Sequence, residues 1–218
     1  MINTVKKIST LFLVLFCFAS CFVSCGKHID TVTPEGSAFS FELEYKNGAV
    51  TQITVKKDGK SVCTLTCDGR DLEYMDMNFD GHKDIRLKSS RNDGTFDCFV
   101  YQQNTGTFTK HTELGTLLEP AFDNETKEIK CKTYRKTKVT SENPDVPTAY
   151  IEVKGSAVWY WNNGVLTQRS EKGIEYYSSD GIYCVYECVT ENGKLQRNES
   201  AEKWYASLDS LKAAGHNW

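Results

Sequence analysis

Residues 76–84, with the sequence DMNFDGHKD, place oxygen-bearing groups at alternate positions of a short segment. The candidate ligands are Asp76, Asn78, Asp80, His82 and Asp84. In calcium loops the side chains at positions 1, 3 and 5 fold toward one point, the main-chain oxygen of position 7 joins them, and position 9 adds an oxygen directly or through water. Gly81 at position 6 allows the sharp turn. Because three carboxylates so close together repel each other without a cation, the segment predicts a Ca²⁺ site, with an empty polar turn as the alternative.

The residues around this segment distinguish it from an EF-hand. An EF-hand needs a bidentate glutamate at position 12 and a helix on each side. Position 12 is Leu87, and the flanking runs DLEYM and DIRLKSS have the composition of strands. Imidazole is a poor Ca²⁺ ligand, so only the main-chain oxygen of His82 is assigned to the site. Extracellular loops of this kind bind Ca²⁺ with a Kd on the order of 10⁻⁴ to 10⁻³ M, which favours a structural ion over a signal.

The first residues have the pattern of an export signal. Lys6 and Lys7 precede an apolar run that begins at Ile8 and ends in small residues and cysteine. Residues 1–24 are therefore predicted to be a lipoprotein signal peptide and Cys25 the lipidated residue, with Cys21 and an ordinary cleaved signal as alternatives. This predicts an exported protein that is held to the membrane of the bacterial cell envelope by a lipid anchor, on its periplasmic side or at the cell surface.

Cysteine usage is consistent with export. The chain has nine cysteines, and the ones after Cys25 are Cys63, Cys67, Cys98, Cys131, Cys184 and Cys188. An even number of cysteines in an exported protein favours disulfides. Two of the spacings are C-x₃-C, which in a strand separates the pair by about 13 Å, too far for a direct bond. The sequence thus predicts disulfides to neighbouring strands, of undetermined connectivity, with zinc binding as the alternative.

Composition and motifs argue against several functions. The formal net charge is −3, or −5 without Lys6 and Lys7, and this mild acidity is spread through the chain, so nucleic acid is not an expected partner. The sequence has no G-x-S-x-G, H-E-x-x-H or phosphate-binding glycine loop, so it predicts no enzyme. The run WYWNNG (159–164) has the aromatic residues of a sugar-stacking platform, although such alternation in a sheet is more often part of the core.

Most of the chain alternates between strands and turns. Residues 25–38 are predicted to be a tether, and residues 39–218 a single β domain. Runs such as FSFELEY, AVTQITV and FDCFVYQQ are separated by turn signals such as Asn47-Gly48 and Asp58-Gly59. The expected fold is all-β, an antiparallel sandwich or an open-propeller-like sheet. A short C-terminal helix is expected within residues 199–215, and a loop at 140–149.

The order of these features resembles a known family. A lipoprotein-like signal is followed by hairpins, then YMDMNFDGHKDIRL, CFVYQQNTGTFTKHTEL and WYWNNGVLTQ. The first of these runs is also similar to the strand–loop–strand calcium loops of integrin-type propeller repeats, with Ile85 as the aliphatic residue that follows. The whole resembles the exported bacterial calcium-loop β proteins that include the Xanthomonas immunity proteins against lysozyme-like type IV secretion effectors, which are similar in fold to periplasmic inhibitors of invertebrate-type lysozyme. The resemblance implies calcium at Asp76, Asn78, Asp80, His82 and Asp84.

Two functions are consistent with this sequence. The first is an exported calcium-binding lipoprotein that acts as a binding module, as an inhibitor or immunity protein for a lysozyme-like cell-wall hydrolase. The second is a structural or adhesion lipoprotein of the envelope, in which the calcium only stiffens the sheet. The lysozyme inhibitors insert a Ser-Gly-x-x-Tyr loop into the enzyme cleft, and this sequence contains no such run.

Overall fold

A computed structural model describes residues 28–139 and 148–218 and shows two antiparallel sheets, sheet 1 and sheet 2, that follow each other along the chain. The expected signal peptide, Cys25 and most of the expected 140–149 loop lie outside the described residues. The prediction of an all-β protein with a short C-terminal helix is confirmed. Within the described residues, no helix is long and apolar enough to cross a membrane.

Sheet 1 is a meander in which each strand pairs with the next. Its strands are β1 His28–Val32, β2 Phe39–Lys46, β3 Ala49–Lys57, β4 Lys60–Met75, β5 Asp84–Ser89, β6 Phe96–Gln102 and β7 Thr107–Lys110. Strand β1 was expected to be part of the tether, but it pairs with β2 along its whole length. The alternation of polar and apolar residues in β1 is too short to distinguish it from a linker, and pairing with the edge of β2 decides the conformation.

Sheet 2 follows a short helix, α1 Thr112–Gly115. Its strands are β8 Leu118–Asp123, β9 Glu128–Val139, β10 Ala149–Asn162, β11 Val165–Tyr177, β12 Ile182–Glu191, β13 Lys194–Arg197 and β14 Lys203–Tyr205. Strands β8 to β13 are neighbours in chain order across the sheet, and β14 pairs with β12 beside β13.

The C-terminal helix is shorter than expected. Helix α2 spans Leu208–Ala213 and begins at a capping box, in which the Ser207 hydroxyl accepts from the Ser210 amide and the Ser210 hydroxyl accepts from the Ser207 amide. Trp204, expected on the helix, lies instead in β14, where it faces Cys184 of β12 and its ring stacks 5.5 Å from that of Tyr177. Strand pairing therefore overrides local helical spacing at this position.

Three apolar clusters hold the fold together. The first lies within sheet 1 and is built around Phe41, Ile53 and Phe99. The second joins the two sheets, because it combines buried residues of sheet 1 and the 76–84 loop with buried residues of sheet 2; they are Met77, Cys98, Val100, Leu114, Leu117, Ile129, Cys131, Ala157 and Leu166. The third packs α2 on sheet 2 through Leu211.

Candidate metal centre

The 76–84 loop connects β4 to β5, and its polar side chains fold back onto the loop's own amides. Asp76 accepts from the amides of Asp80 and Gly81 at 3.2 and 2.9 Å, and the Asn78 side-chain oxygen accepts from the same Asp80 amide at 3.2 Å. Asp80 in turn accepts from the Asn78 amide group and from the His82 main chain, both at 2.8 Å. The structure therefore gathers the first three predicted ligands, Asp76, Asn78 and Asp80, around one turn.

The third acidic residue, Asp84, differs from the other two because it is fully buried. One carboxylate oxygen accepts from the Met77 amide and the other from the Tyr101 amide, each at 2.8 Å. Burial raises the pKa of Asp84 to about 6; the two amides oppose the shift, and the nearby Asp80 and Asp76 add to it. Asp84 thus fastens the end of the loop to β6 and lies within electrostatic reach of the exposed carboxylates.

The loop main chain has two unusual conformations. Gly81 has a φ of 89°, which glycine adopts without steric cost and which the calcium-loop pattern reserves for it. Phe79 has a φ of 60°, a left-handed conformation that is strained for an aromatic residue. Such a conformation costs on the order of 1–3 kcal/mol and persists only where neighbouring contacts stabilise it.

Those contacts come from sheet 2. Met77 is fully buried in the cluster that joins the sheets, and its carbonyl accepts from the Trp161 indole of β10 at 3.0 Å. The Phe79 ring lies 6.4 Å from that of Phe122 in β8, and the Lys127 ammonium lies 5.4 Å from the Phe79 ring. Met77 and Phe79, which lie between the predicted ligands, therefore bind the loop to the second sheet. The spacing of the ligands does not show this role.

The carboxylates of the loop form no ion pair with a side chain of the described residues. Throughout residues 28–139 and 148–218, no lysine, arginine or histidine forms an ion pair with Asp76, Asp80 or Asp84. The centre of the His82 ring lies 5.4 Å from that of Tyr101, so the imidazole makes an aromatic contact and no ion pair with the loop aspartates. These observations fit a loop whose negative charge is balanced from solution.

The donors do not form a closed cage of carboxylates. Within the described part of the chain, no group of three or more His, Cys, Asp or Glu side chains lies close enough together to hold a metal ion. Asp76 and Asp80 converge together with the amide of Asn78, whereas both oxygens of Asp84 already accept main-chain hydrogen bonds. Ca²⁺ tolerates such a shell, because it accepts amide, main-chain and water oxygens at flexible geometry and position 9 often acts through water.

The cysteines do not form the predicted disulfides. All six in the described residues are free thiols. The strand register is consistent with this, because five of the six cysteines face a residue other than cysteine: Cys63 faces Val55, Cys98 faces Arg86 and Cys131 faces Ala157. On β12, Cys184 and Cys188 face Glu175 and Glu171. The disulfide prediction is therefore wrong.

A second group of buried carboxylates lies on sheet 2, and sequence patterns did not reveal it. The Glu171 side chain is 4% exposed and is held by both Arg135 amino groups, by the Tyr186 hydroxyl and by the Gln168 amide. Burial opposes ionisation of Glu171, but these donors outweigh it, and the pKa is lowered from its ordinary value. Glu175 pairs with Arg197 in a different geometry, because one amino group of Arg197 donates to both carboxylate oxygens of Glu175 at 2.9 and 3.0 Å.

Each of these pairs brings together residues that are far apart in the sequence. Arg135 is on β9 and Glu171 on β11, while Arg197 comes from β13. The alternation in VLTQRSEKGIEYY places Glu171 and Glu175 on one face, but it gives no sign that this face is covered. The signal that could have found them is the strand order β9-β10-β11-β12-β13, which requires the topology.

Comparison with protein-family models, with curated proteins and with solved structures finds no match to this chain.

Proposed function

We propose that this protein is an exported lipoprotein, anchored at Cys25, that acts as a non-enzymatic binding module and is stabilised by Ca²⁺ in the 76–84 loop. The observation that carries the proposal is the folding of Asp76, Asn78 and Asp80 around one turn without a cationic partner, beside the buried Asp84 carboxylate. Calcium, when bound, would supply the missing positive charge. The candidate oxygens are those of Asp76, Asn78, Asp80 and Asp84 and the His82 main chain.

The proposed partner is a lysozyme-like cell-wall hydrolase, which this protein would inhibit or to which it would confer immunity. Support comes from the signal-like N-terminus and from the sequence resemblance to exported calcium-loop immunity proteins. A protein anchored in the envelope is located where such hydrolases act.

The test is capture of muramidases by the full-length protein, in calcium and in chelator, with a lytic assay on the same samples. We expect retention of a muramidase and reduced lysis, both weakened by chelator and by Asp80→Ala. The matched control is Asp180→Ala, which changes an exposed turn aspartate on the other sheet. If no muramidase is retained and lysis is unchanged, the proposed hydrolase partner is refuted.

The alternative is a structural or adhesion lipoprotein, and one observation favours it. Met77 and Phe79 tie the loop to sheet 2, so calcium there would stabilise the fold whatever the protein binds. In that case calcium raises the melting temperature while capture assays recover no hydrolase. Partition of wild type and Cys25→Ser between detergent and aqueous phases tests the lipid anchor, which both functions share.

A further inference from the structure

Strand β1 shortens the connection between the proposed lipid anchor and the folded domain. It begins at His28, which faces Tyr45 of β2, and it is paired with β2 along its whole length. A tether that ran as far as Phe39 would span roughly 45–50 Å when extended. With β1 in the sheet, the connection runs only from Cys25 to His28, and three residue steps span at most about 11 Å.

The start of β1 lies beside the hairpin that joins β2 to β3. Tyr45 faces His28 across the two strands, and the centres of their rings lie 5.5 Å apart. Strand β2 ends one residue later at Lys46, and the turn Asn47-Gly48 leads into β3. Lys46 and both turn residues are exposed. We name this part of sheet 1, residues 28 and 45–48, the His28 end.

The 76–84 loop lies near the opposite end of β2. The His82 ring lies 5.4 Å from the ring of Tyr101, which in turn lies 5.7 Å from the ring of Phe39. Phe39 is the first residue of β2, and the strand carries Tyr45 about 20 Å away from it. The turn that follows β1 lines one cavity together with Lys83 of the loop. The loop and the proposed anchor are therefore at different ends of sheet 1.

We propose that, in the lipidated protein, the His28 end lies against the lipid headgroups of the membrane and the calcium loop lies on the side away from them. The inference rests on the proposed anchor at Cys25, and it specifies which surface of the domain contacts the membrane. The headgroup layer is about 5–8 Å thick on each side of a bilayer. A connection of at most about 11 Å is little longer, so the domain cannot move clear of the headgroups, and the His28 end is the part nearest to the anchor.

The charges at the two ends agree with this orientation. Lys46 at the His28 end is attracted to anionic headgroups. Asp30 on the same strand as His28 is half exposed and pairs with it at 3.2 Å, so this end is not basic enough to bind a membrane without the lipid chain. Anionic headgroups would repel the loop aspartates, but a separation of about 20 Å exceeds the Debye length of about 8 Å at physiological salt.

Photo-crosslinking of the full-length protein in vesicles of phosphatidylethanolamine and phosphatidylglycerol tests the proposal. Benzoylphenylalanine is placed at position 46, in the His28 end, or at position 57, where Lys57 faces Phe39 at the other end of the sheet. The positions are matched, because Lys46 and Lys57 are each the exposed last residue of a strand that leads into a two-residue turn. We expect lipid adducts at position 46, and at position 57 no more adducts than in Cys25→Ser. Melting temperatures check that both variants are folded.

A longer connection tests whether its short length causes the contact. A flexible insert of about ten glycine and serine residues between Gly26 and Lys27 adds a root-mean-square reach of roughly 16–19 Å. Adducts at position 46 should then fall toward the level at position 57, while flotation with the vesicles is unchanged. Adducts that stay at their original level would show that the surface itself binds lipid and would overturn the proposal.

The outcomes distinguish failure of the orientation from failure of the anchor. Equal adducts at positions 46 and 57, in a protein that floats with the vesicles when Cys25→Ser does not, overturn the orientation and leave the anchor in place. Flotation of Cys25→Ser to the same extent as wild type refutes the anchor and the orientation together. So does mass spectrometry that finds the lipid on Cys21, since the connection to His28 would then span up to about 25 Å.

Discussion

The 76–84 loop and sheet 2 each contain a buried carboxylate, and the two surroundings shift its pKa in opposite directions. Asp84 accepts two main-chain amides and has acidic neighbours, and its pKa is raised to about 6. Glu171 is also buried, but an arginine, a tyrosine and a glutamine donate to it, and its pKa is lowered. Burial disfavours both charges, so the difference comes from the partners.

This difference indicates which region depends on solution conditions. The sheet 2 network contains its own counter-charges, because Arg135 and Arg197 are part of the chain. In the loop, the described residues provide no ion pair to the three aspartates, so their charge is open to a bound ion or to protonation. Ions and pH should therefore act on the loop, and removal of a side chain should act on the network.

The largest expected effect comes from Arg135→Met, which leaves the Glu171 carboxylate buried without its cation. Breaking a buried ion pair from one side typically costs about 3–5 kcal/mol of unfolding free energy. Arg169→Met is a matched control, since Arg169 is 52% exposed against 51% for Arg135, but its partner Glu128 is 17% exposed against 4% for Glu171. That surface pair should cost at most about 1 kcal/mol. Urea unfolding measures both, and equal losses would contradict the role of Glu171 burial.

The next effect concerns pH in the presence of chelator. Because the pKa of Asp84 is about 6 in the fold against an ordinary value of 3.8, the folded state holds this proton more tightly than the unfolded chain. Its contribution to stability is therefore greatest below about pH 4 and falls as pH rises through about 6, by up to about 3 kcal/mol. Urea unfolding of wild type and Asp84→Asn across this range should show a loss in the wild type that the variant lacks. Parallel curves would contradict the prediction.

Glu171 should show the opposite dependence. Its pKa is lowered in the fold, so its contribution is present above the ordinary value of 4.5 and is lost as pH falls. In Glu171→Gln, the loss of unfolding free energy below about pH 4.5 should become smaller, and the change near pH 6 should remain. A variant that instead removes the change near pH 6 would reverse the assignment of the two carboxylates.

Sequence patterns predicted the strands better than the partners of the charged residues. Asn47-Gly48, Asp58-Gly59, Asn163-Gly164 and Asn192-Gly193 all have positive φ at both residues and join neighbouring antiparallel strands, as their composition indicates. Local rules sufficed there because a two-residue turn determines its own geometry. Strand β1 and strand β14 were missed because their conformations depend on distant strands.

The candidate site was predictable on its polar side only. The alternation of Asp76, Asn78 and Asp80 identified side chains that do converge. The burial of Asp84 and the contact of Met77 with Trp161 could not be read from the pattern, because their partners lie on β6 and β10. The disulfide prediction failed for the same reason, since it depended on which residues face each other across strands.

A smaller effect is expected from calcium itself. At a calcium concentration about ten times the Kd, binding adds about 1.4 kcal/mol, which raises the melting temperature by about 3–6 °C in a chain of this size. Asp80→Ala should abolish this increase, and Asp180→Ala should retain it. Thermal unfolding with and without calcium measures it, and an unchanged calcium response in Asp80→Ala would remove the loop as the site.

The smallest effect tests whether the two sides of the loop act independently. Trp161→Phe removes the hydrogen bond to the Met77 carbonyl and should lower stability by about 1 kcal/mol, in addition to lost packing. The stabilisation by calcium should differ between wild type and Trp161→Phe by less than about 0.5 kcal/mol, because the Trp161 contact and the ligand oxygens involve different groups of the loop. A double-mutant cycle with Asp80→Ala measures the coupling. A coupling above about 1 kcal/mol would show instead that calcium binding and docking of the second sheet are one event, so that the loop would regulate the contact between the sheets.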